Sequence, residues 1–178
     1  MKQVQLKGGL TLILRAADKD DAALVVDYLN KVGRESDNLT FGPDGYGAPP
    51  AKEAALIEAI SKSDNQLMLC ALLDGQLVGH LEFTGGWRPR TRHAGEFGIT
   101  VLKEYWGKGI GSELLRCMIS WARETGVIRK INLKVRSDNR RAIRLYEKFG
   151  FTAVGTITRE FFMDGEFYDC LQMGMEID

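Results

Sequence analysis

The chain has 178 residues, 44% of them apolar, a length and composition that suit one domain, 1–178, with a proper core. Lys and Arg number 24 and Asp and Glu also number 24, so no net field recruits nucleic acid, an anionic membrane or a strongly charged partner. Three cysteines, Cys70, Cys117 and Cys170, form no Cys-x-x-Cys pair and fit buried thiols in a reducing compartment better than a disulfide framework.

Residues 1–7 lack the basic-then-apolar order of a signal peptide, and no run approaches the ~20 apolar residues of a membrane span, so a cytoplasmic location is expected. Residues 10–15 form a short β-prone run. Asp18, with Asp21 three residues on, then marks a helix start, and Ala22, Val25, Val26, Leu29 and Val32 recur at helical spacing. Residues 34–50 are polar and rich in Gly and Pro, a long irregular loop of the kind that is functional or mobile, before a helix over 52–61.

Residues 66–73 and 76–84 read as two strands joined by Asp74-Gly75, a tight-turn dipeptide. A basic loop, 87–93, leads to a strand over 96–101. Ile110, Leu114, Leu115, Met118, Trp121 and Ala122 mark a long amphipathic helix ending near Gly126, followed by a strand over 130–135. A helix over 139–149 is stopped by Gly150, and two last strands, 151–162 and 167–175, turn near Asp164-Gly165. The order is mixed β and α, an α/β (α+β) chain with antiparallel hairpins at both ends.

The stretch that points to chemistry is Tyr105-Trp106-Gly107-Lys108-Gly109-Ile110-Gly111, where a strand feeds a loop that opens directly into a helix. Glycines let backbone N–H groups approach an anion, and the helix N-terminus adds partial positive charge, an arrangement suited to diphosphate. The loop lacks the Gly-Lys-Ser/Thr ending of a Walker A sequence and the Gly-x-Gly-x-x-Gly of a dinucleotide fold, and no acid ends the next strand to hold a ribose. A structural tight turn is the alternative reading of the loop on its own.

The loop resembles the acyl-coenzyme A loop of the GNAT superfamily of acetyltransferases, whose pattern is Arg or Gln, two variable residues, Gly, a variable residue, then Gly or Ala. Gly109 and Gly111 match, while Trp106 takes the Arg/Gln place, as in the Trp-Gly-Lys-Gly variant of some branches. A second block, Asn139-Arg140-Arg141-Ala142-Ile143-Arg144-Leu145-Tyr146-Glu147-Lys148-Phe149-Gly150-Phe151, is similar to the family's later helix and the turn after it. Only residues 34–50 and 85–95 carry little of the resemblance.

The resemblance implies the GNAT fold, a mixed and mostly antiparallel sheet of about seven strands with about four helices, and acetyl-CoA as cosubstrate. Strand 96–101 would splay from its neighbour, and the pantetheine arm would pair with the main chain of Ile99, Thr100 and Val101 along the open edge. The diphosphate would meet the amides of Trp106, Gly107, Lys108, Gly109, Ile110, Gly111 and Ser112, and a main-chain N–H would steady the oxyanion. Transfer would be direct, without an acyl-enzyme.

Tyr146 matches the tyrosine that protonates the departing thiolate, the alternative being a core aromatic with a solvated hydroxyl. Asn139 either caps its helix or contacts pantetheine. An acceptor ammonium must lose a proton, and Glu96 is the candidate base, with a water chain, an exposed strand-end charge or pairing with the substrate amine as alternatives. His80 and His93 form no ligand cluster, so no metal is expected, and Cys117 lacks a histidine partner for nucleophilic work. Arg88, Arg90, Arg92 and His93 fit either a 3′-phosphate or acidic-substrate contact or a solvated loop.

Glu35, Asp37 and Asp44 are candidates for attracting a cationic acceptor. Phe161, Phe162, Phe167 and Tyr168 are candidates for an acceptor wall or for subunit contacts in a homodimer through the last strands. The acceptor classes that fit are a protein N-terminal amine, a polyamine, and an aminoglycoside or other small amine. The rivals are a catalytically silent acyl-CoA-binding sensor and, disfavoured by the neutral charge balance, a nucleic-acid module.

Overall fold

The computed structural model describes residues 1–6 and 8–178, so Lys7, within the N-terminal segment discussed above, lies outside the described residues. Strands β1 (Lys2–Gln5), β2 (Thr11–Ala16), β3 (Gln66–Leu73), β4 (Gln76–Gly85), β5 (Ala94–Val101), β6 (Lys130–Arg136), β7 (Thr152–Met163) and β8 (Glu166–Glu176) form one sheet in the order β1-β2-β3-β4-β5-β6-β8-β7. Helices α1 (Ala22–Gly33), α2 (Pro50–Ser61), α3 (Ile110–Glu124) and α4 (Arg140–Lys148) cover it. The expected seven strands become eight because Lys2-Gln3-Val4-Gln5, too polar to read as a strand, pairs with β2 at the sheet edge.

Alternation along β3 explains the two layers, since successive side chains point to opposite faces. Leu69, Ala71 and Leu73 join α3 and α4 in one core, while Met68, Cys70 and Leu72 join α1 and α2 in the other. Asp18 begins the first helical segment as expected: its side chain accepts from the Asp20 amide, and the Asp21 carboxylate accepts from the Asp18 amide, closing a capping box. One 3₁₀ turn intervenes before α1 starts at Ala22.

Every strand pairing is antiparallel except β5 with β6, which is parallel and runs only from Ala94↔Lys130 to Glu96↔Asn132. Both strands continue beyond that point, to Val101 and Arg136, without pairing to each other. β5 keeps its other partner throughout, from Gly85↔Gly95 to Gly79↔Val101. The sheet therefore opens into a V between β5 and β6. No helix among the described residues is long and apolar enough to cross a membrane.

Candidate active site

A cleft of about 1040 Å³ runs through this opening, bounded by β4, β5, β6, the start of α3, one side of α4 and the segment from α1 to Tyr46. It brings together Glu96, Ile99, Thr100, Val101, Trp106, Gly107, Gly109, Ile110, Gly111, Ser112, Asn139 and Tyr146, residues that the sequence singles out. Lys108 lies in the same loop, with its ammonium 4.7 Å from the Tyr105 ring centroid.

Which main-chain groups are free follows from the strand register. The Leu102 amide donates to the Val78 carbonyl, so by antiparallel alternation Thr100 and Gly98 also turn toward β4, and Ile99 and Val101 turn toward the open edge. The Val101 carbonyl is already taken, because the Trp106 indole N–H donates to it at 2.7 Å. Trp106 thus anchors the glycine loop to the end of β5. Replacing Trp106 with Phe should raise KM for acetyl-CoA about threefold to tenfold, the worth of one hydrogen bond, with kcat nearly unchanged. Steady-state kinetics at varied acetyl-CoA check this.

The loop offers fewer amides than expected from the sequence. The Trp106 amide donates to the Lys103 carbonyl and the Lys108 amide to the Tyr105 carbonyl, so neither is free for an anion. The open donors are those of Gly107 and of the helix start, Gly109 to Ser112, whose N–H groups have no partner in the loop or within α3. Gly109, the residue before the helix, holds φ at +93°, a conformation that side chains rarely adopt. Over this loop lies the Arg141 guanidinium, 5.0 Å from the Trp106 ring centroid, with Arg144 and Lys148 on the same side of the cleft. These α4 cations carried no separate signal in the sequence beyond their block, since only the fold brings them beside the loop.

The basic run is elsewhere. Residues 88–93 precede β5 at the end opposite Val101, roughly 23 Å away along a strand of this length. One guanidinium nitrogen of Arg92 there donates to both Asp64 carboxylate oxygens, at 2.7 and 2.6 Å, and Arg88 stacks on Trp87, so the 3′-phosphate option for this loop falls away.

Tyr146 is 7% exposed, packed edge-on against Phe97 and Phe151 while lining the cleft. Burial raises its hydroxyl above the usual phenol range, so it stays protonated and able to donate at neutral pH. Asn139 caps α4, its side-chain oxygen accepting from the Ala142 amide at 3.2 Å, which settles capping in the structure and leaves its NH₂ turned to other uses. Burial raises the Cys117 and Cys170 thiols and pushes Cys70 up to about 12, away from the thiolate a nucleophile needs.

The opposite half of the cleft is acidic in a way the sequence reading did not anticipate. Register places His80, Glu82 and Thr84 of β4 opposite Thr100, Gly98 and Glu96 of β5, all on the face toward α1 and α2. Polar residues at every second position of Gly79-His80-Leu81-Glu82-Phe83-Thr84 were the available signal. Lys134 lies on the β6 side, pairing with Glu160 at 2.8 Å, and the carboxylates of Glu160 and Glu96 hold its ammonium above the ordinary lysine range.

Glu35, Asp37 and Asp44 do not line this cleft. Glu35 accepts from the Lys103 amide at 2.8 Å, and the Asp37 carbonyl accepts from Arg136 at 2.9 Å, so both fasten the 34–50 loop over the sheet. Of the four late aromatics only Phe161 reaches the cleft; Phe162 and Phe167 are 64% and 54% exposed, and Tyr168 lies under the Arg136 guanidinium.

His80 is 5% exposed and its Nε2 has no partner. Burial drives its pKa down to about 4, so the imidazole is neutral at pH 7. The unfolded chain takes up a proton near pH 6.5 that the folded chain refuses until about 4, and stability present above pH 6.5 is lost as pH falls through that window. Glu82 and Glu53, raised by burial, work in the opposite sense. Urea unfolding at pH 7 and pH 5 should therefore show His80→Gln losing about 2 kcal/mol less than the parent over that step. Parallel losses in the two proteins would contradict it.

Residues 35–151, well over half of the chain, match the model of the Acetyltransferase (GNAT) family, and the chain belongs to that family. It is 37% identical over 105 residues to the L-amino acid N-acetyltransferase AaaT of Escherichia coli (strain K12), a match that spans 59% of this chain and 65% of that relative. A GNAT acetyltransferase of Streptococcus pneumoniae superposes with a TM-score of 0.91 at 35% identity, over 94% of this chain and 99% of that one. The structure of a putative acetyltransferase from Salmonella typhimurium with its cofactor acetyl-CoA shares the fold, with a TM-score of 0.81 at 24% identity over 94% of each chain.

Proposed function

We propose that the chain, taken as one catalytic unit, is an acetyl-CoA-dependent N-acetyltransferase that moves the acetyl group directly onto a primary amine of a small molecule, a polyamine or a protein N-terminus. The single observation that carries this is the V between β5 and β6, with a free strand edge on one side, open helix N–H groups at its mouth and a buried neutral tyrosine facing them.

The pantetheine arm lies along the open edge, bonding the Ile99 main chain and the Val101 N–H as a strand would. Its diphosphate meets the amides of Gly109, Ile110, Gly111 and Ser112 and the charge of Arg141. The thioester carbonyl then stands by the free main-chain N–H groups of β5, which steady the oxygen as it becomes negative. A carboxylate on the shared face, Glu96 or Glu82, takes a proton from the acceptor ammonium. The amine attacks, the C–S bond breaks, and Tyr146 gives its proton to the leaving thiolate.

The cytoplasm suits this reading, since three free cysteines belong to a reducing compartment. Thiol release from acetyl-CoA, followed across polyamines, aminoglycosides, amino acids and N-terminal peptides, tests it. Release stimulated by one amine class supports the reading; tight acetyl-CoA binding with no stimulated release would make the chain a silent acyl-CoA binder.

A further inference from the structure

Gly98 stands directly opposite Glu82 in the β4–β5 register, where side chains on one face are normally about 5 Å apart. A Cβ built on Gly98 meets nothing within 4 Å. The cleft thus has a side-chain-sized recess beside the Glu82 carboxylate, one residue before Ile99 at the open edge. Behind it, Glu53 of α2 is 1% exposed with Oε1 unpartnered, and the unpartnered Nε2 of His80 belongs to the residue that precedes Glu82 on this face. Two unmatched buried polar atoms thus belong to residues around Glu82, Glu53 being close enough to raise its carboxyl and His80 sharing its strand face, and a polar ligand at Glu82 fits such surroundings.

Charge decides what that ligand is. Among the described residues no cation pairs with Glu82; its neighbours are Glu53, Tyr46, Thr84 and a neutral His80. Of the cleft cations, Lys134 and Arg136 of β6 are already engaged, by Glu160 and Asp138, while Arg141, Arg144 and Lys148 belong to α4, on the side of the glycine loop. An ammonium is drawn to this end and held off the Lys134 end, where Glu96 stands. On the β4–β5 face a carboxylate attached next to that ammonium would meet Glu82, Glu96 and Glu160, and the cation beside them, Lys134, is already paired. Leu29, Val32, Phe41 and Tyr46 add apolar surface to the lining of the same cleft.

We propose that the recess bounded by Glu82 and Gly98 receives the acceptor's ammonium, that Glu82 rather than Glu96 takes its proton, and that the acceptors are slender primary amines without an adjacent carboxylate. This rests on the acetyltransferase reading above. The ammonium gives one proton to Glu82, and the freed nitrogen lone pair forms the C–N bond as the C–S bond breaks. Tyr146 protonates the thiolate and is reprotonated by the second proton leaving nitrogen, and Glu82 returns its proton to solvent, leaving amide, free thiol and one proton. Burial raises the Glu82 carboxyl above its ordinary range, which strengthens it as a base; the groups facing it are His80, Thr84, Glu96, Glu53, Tyr46 and, from α1, Tyr28 bonded to Thr100.

The test follows thiol release from pH 6 to 9 with phenethylamine, putrescine and L-phenylalanine for the parent, Glu82→Gln, Glu96→Gln and Gly98→Val, with acetyl-CoA affinity measured separately by calorimetry. The amines lacking a carboxylate should exceed L-phenylalanine in kcat/KM by about tenfold or more. Glu82→Gln should lose about 100-fold in kcat/KM together with the acidic limb of the pH profile, while binding acetyl-CoA within about twofold of the parent. Gly98→Val should raise the amine KM by about tenfold or more and leave acetyl-CoA affinity unchanged. A limb that survives Glu82→Gln and vanishes in Glu96→Gln overturns the assignment of the base, and preference for L-phenylalanine overturns the substrate class. Both leave the acetyltransferase reading standing, whereas a parent silent toward every amine overturns that reading and this one with it.

Discussion

Tyr146→Phe is expected to slow acetyl transfer by about 100-fold or more in kcat, the usual worth of a positioned proton donor, with acetyl-CoA affinity and thermal stability close to the parent's. The separation follows from how the side chain is held. Its ring belongs to the core, packed edge-on to Phe97 and Phe151, and phenylalanine keeps all of that contact. Only the hydroxyl is lost, a group that burial keeps protonated. Thiolate would then leave without a proton from the protein, so the deficit should be larger for an acyl donor with a poorer leaving group. Unchanged turnover with the natural thioester would reduce Tyr146 to a packing residue.

Gly109→Val carries the other large effect, a loss of acetyl-CoA affinity of about 10- to 100-fold. A Cβ at this position has room, its nearest neighbour being a Leu6 methyl at 4.0 Å, so crowding is not the cause. The cause is φ at +93°, where a β-branched residue costs roughly 1–3 kcal/mol and which it escapes by turning the helix-start amides away from the diphosphate. Gly111 differs: its φ is ordinary, and an added Cβ makes van der Waals contact with Leu145, Ile99 and Val101. Gly111→Ala should therefore be much milder than Gly109→Val. Calorimetric titration with acetyl-CoA distinguishes the two, and equal losses would contradict the backbone argument.

The elements that were legible in the sequence are those whose signal is local. The α1 and α3 periodicities, the Asp74-Gly75 turn, the Gly150 stop after α4 and the glycine loop each depend on neighbours a few residues apart, and each appears where expected. β1 was illegible because its polar run becomes a strand only against β2. The acceptor half of the cleft was misread for the same reason. Glu35 looked like a free loop charge, but its partner is an amide 68 residues on, at Lys103. Glu82 lay unnoticed inside a strand, and its importance comes from standing opposite a glycine on β5 and near Glu53 on α2, relations set by register and helix packing. Trp106 shows the reverse: a departure from the family pattern in sequence becomes a support in space, through one bond to Val101.

A mass balance tests whether the cleft transfers acetyl directly from coenzyme A to an amine. Purified protein, acetyl-CoA and an accepted amine are mixed, and free thiol, N-acetylated product and intact protein mass are followed together. One thiol is expected for each amide formed, with the protein mass unchanged at every time point. Bound acetyl-CoA that yields no amide with any amine, or an acetyl group that accumulates on the protein before reaching the amine, would contradict it.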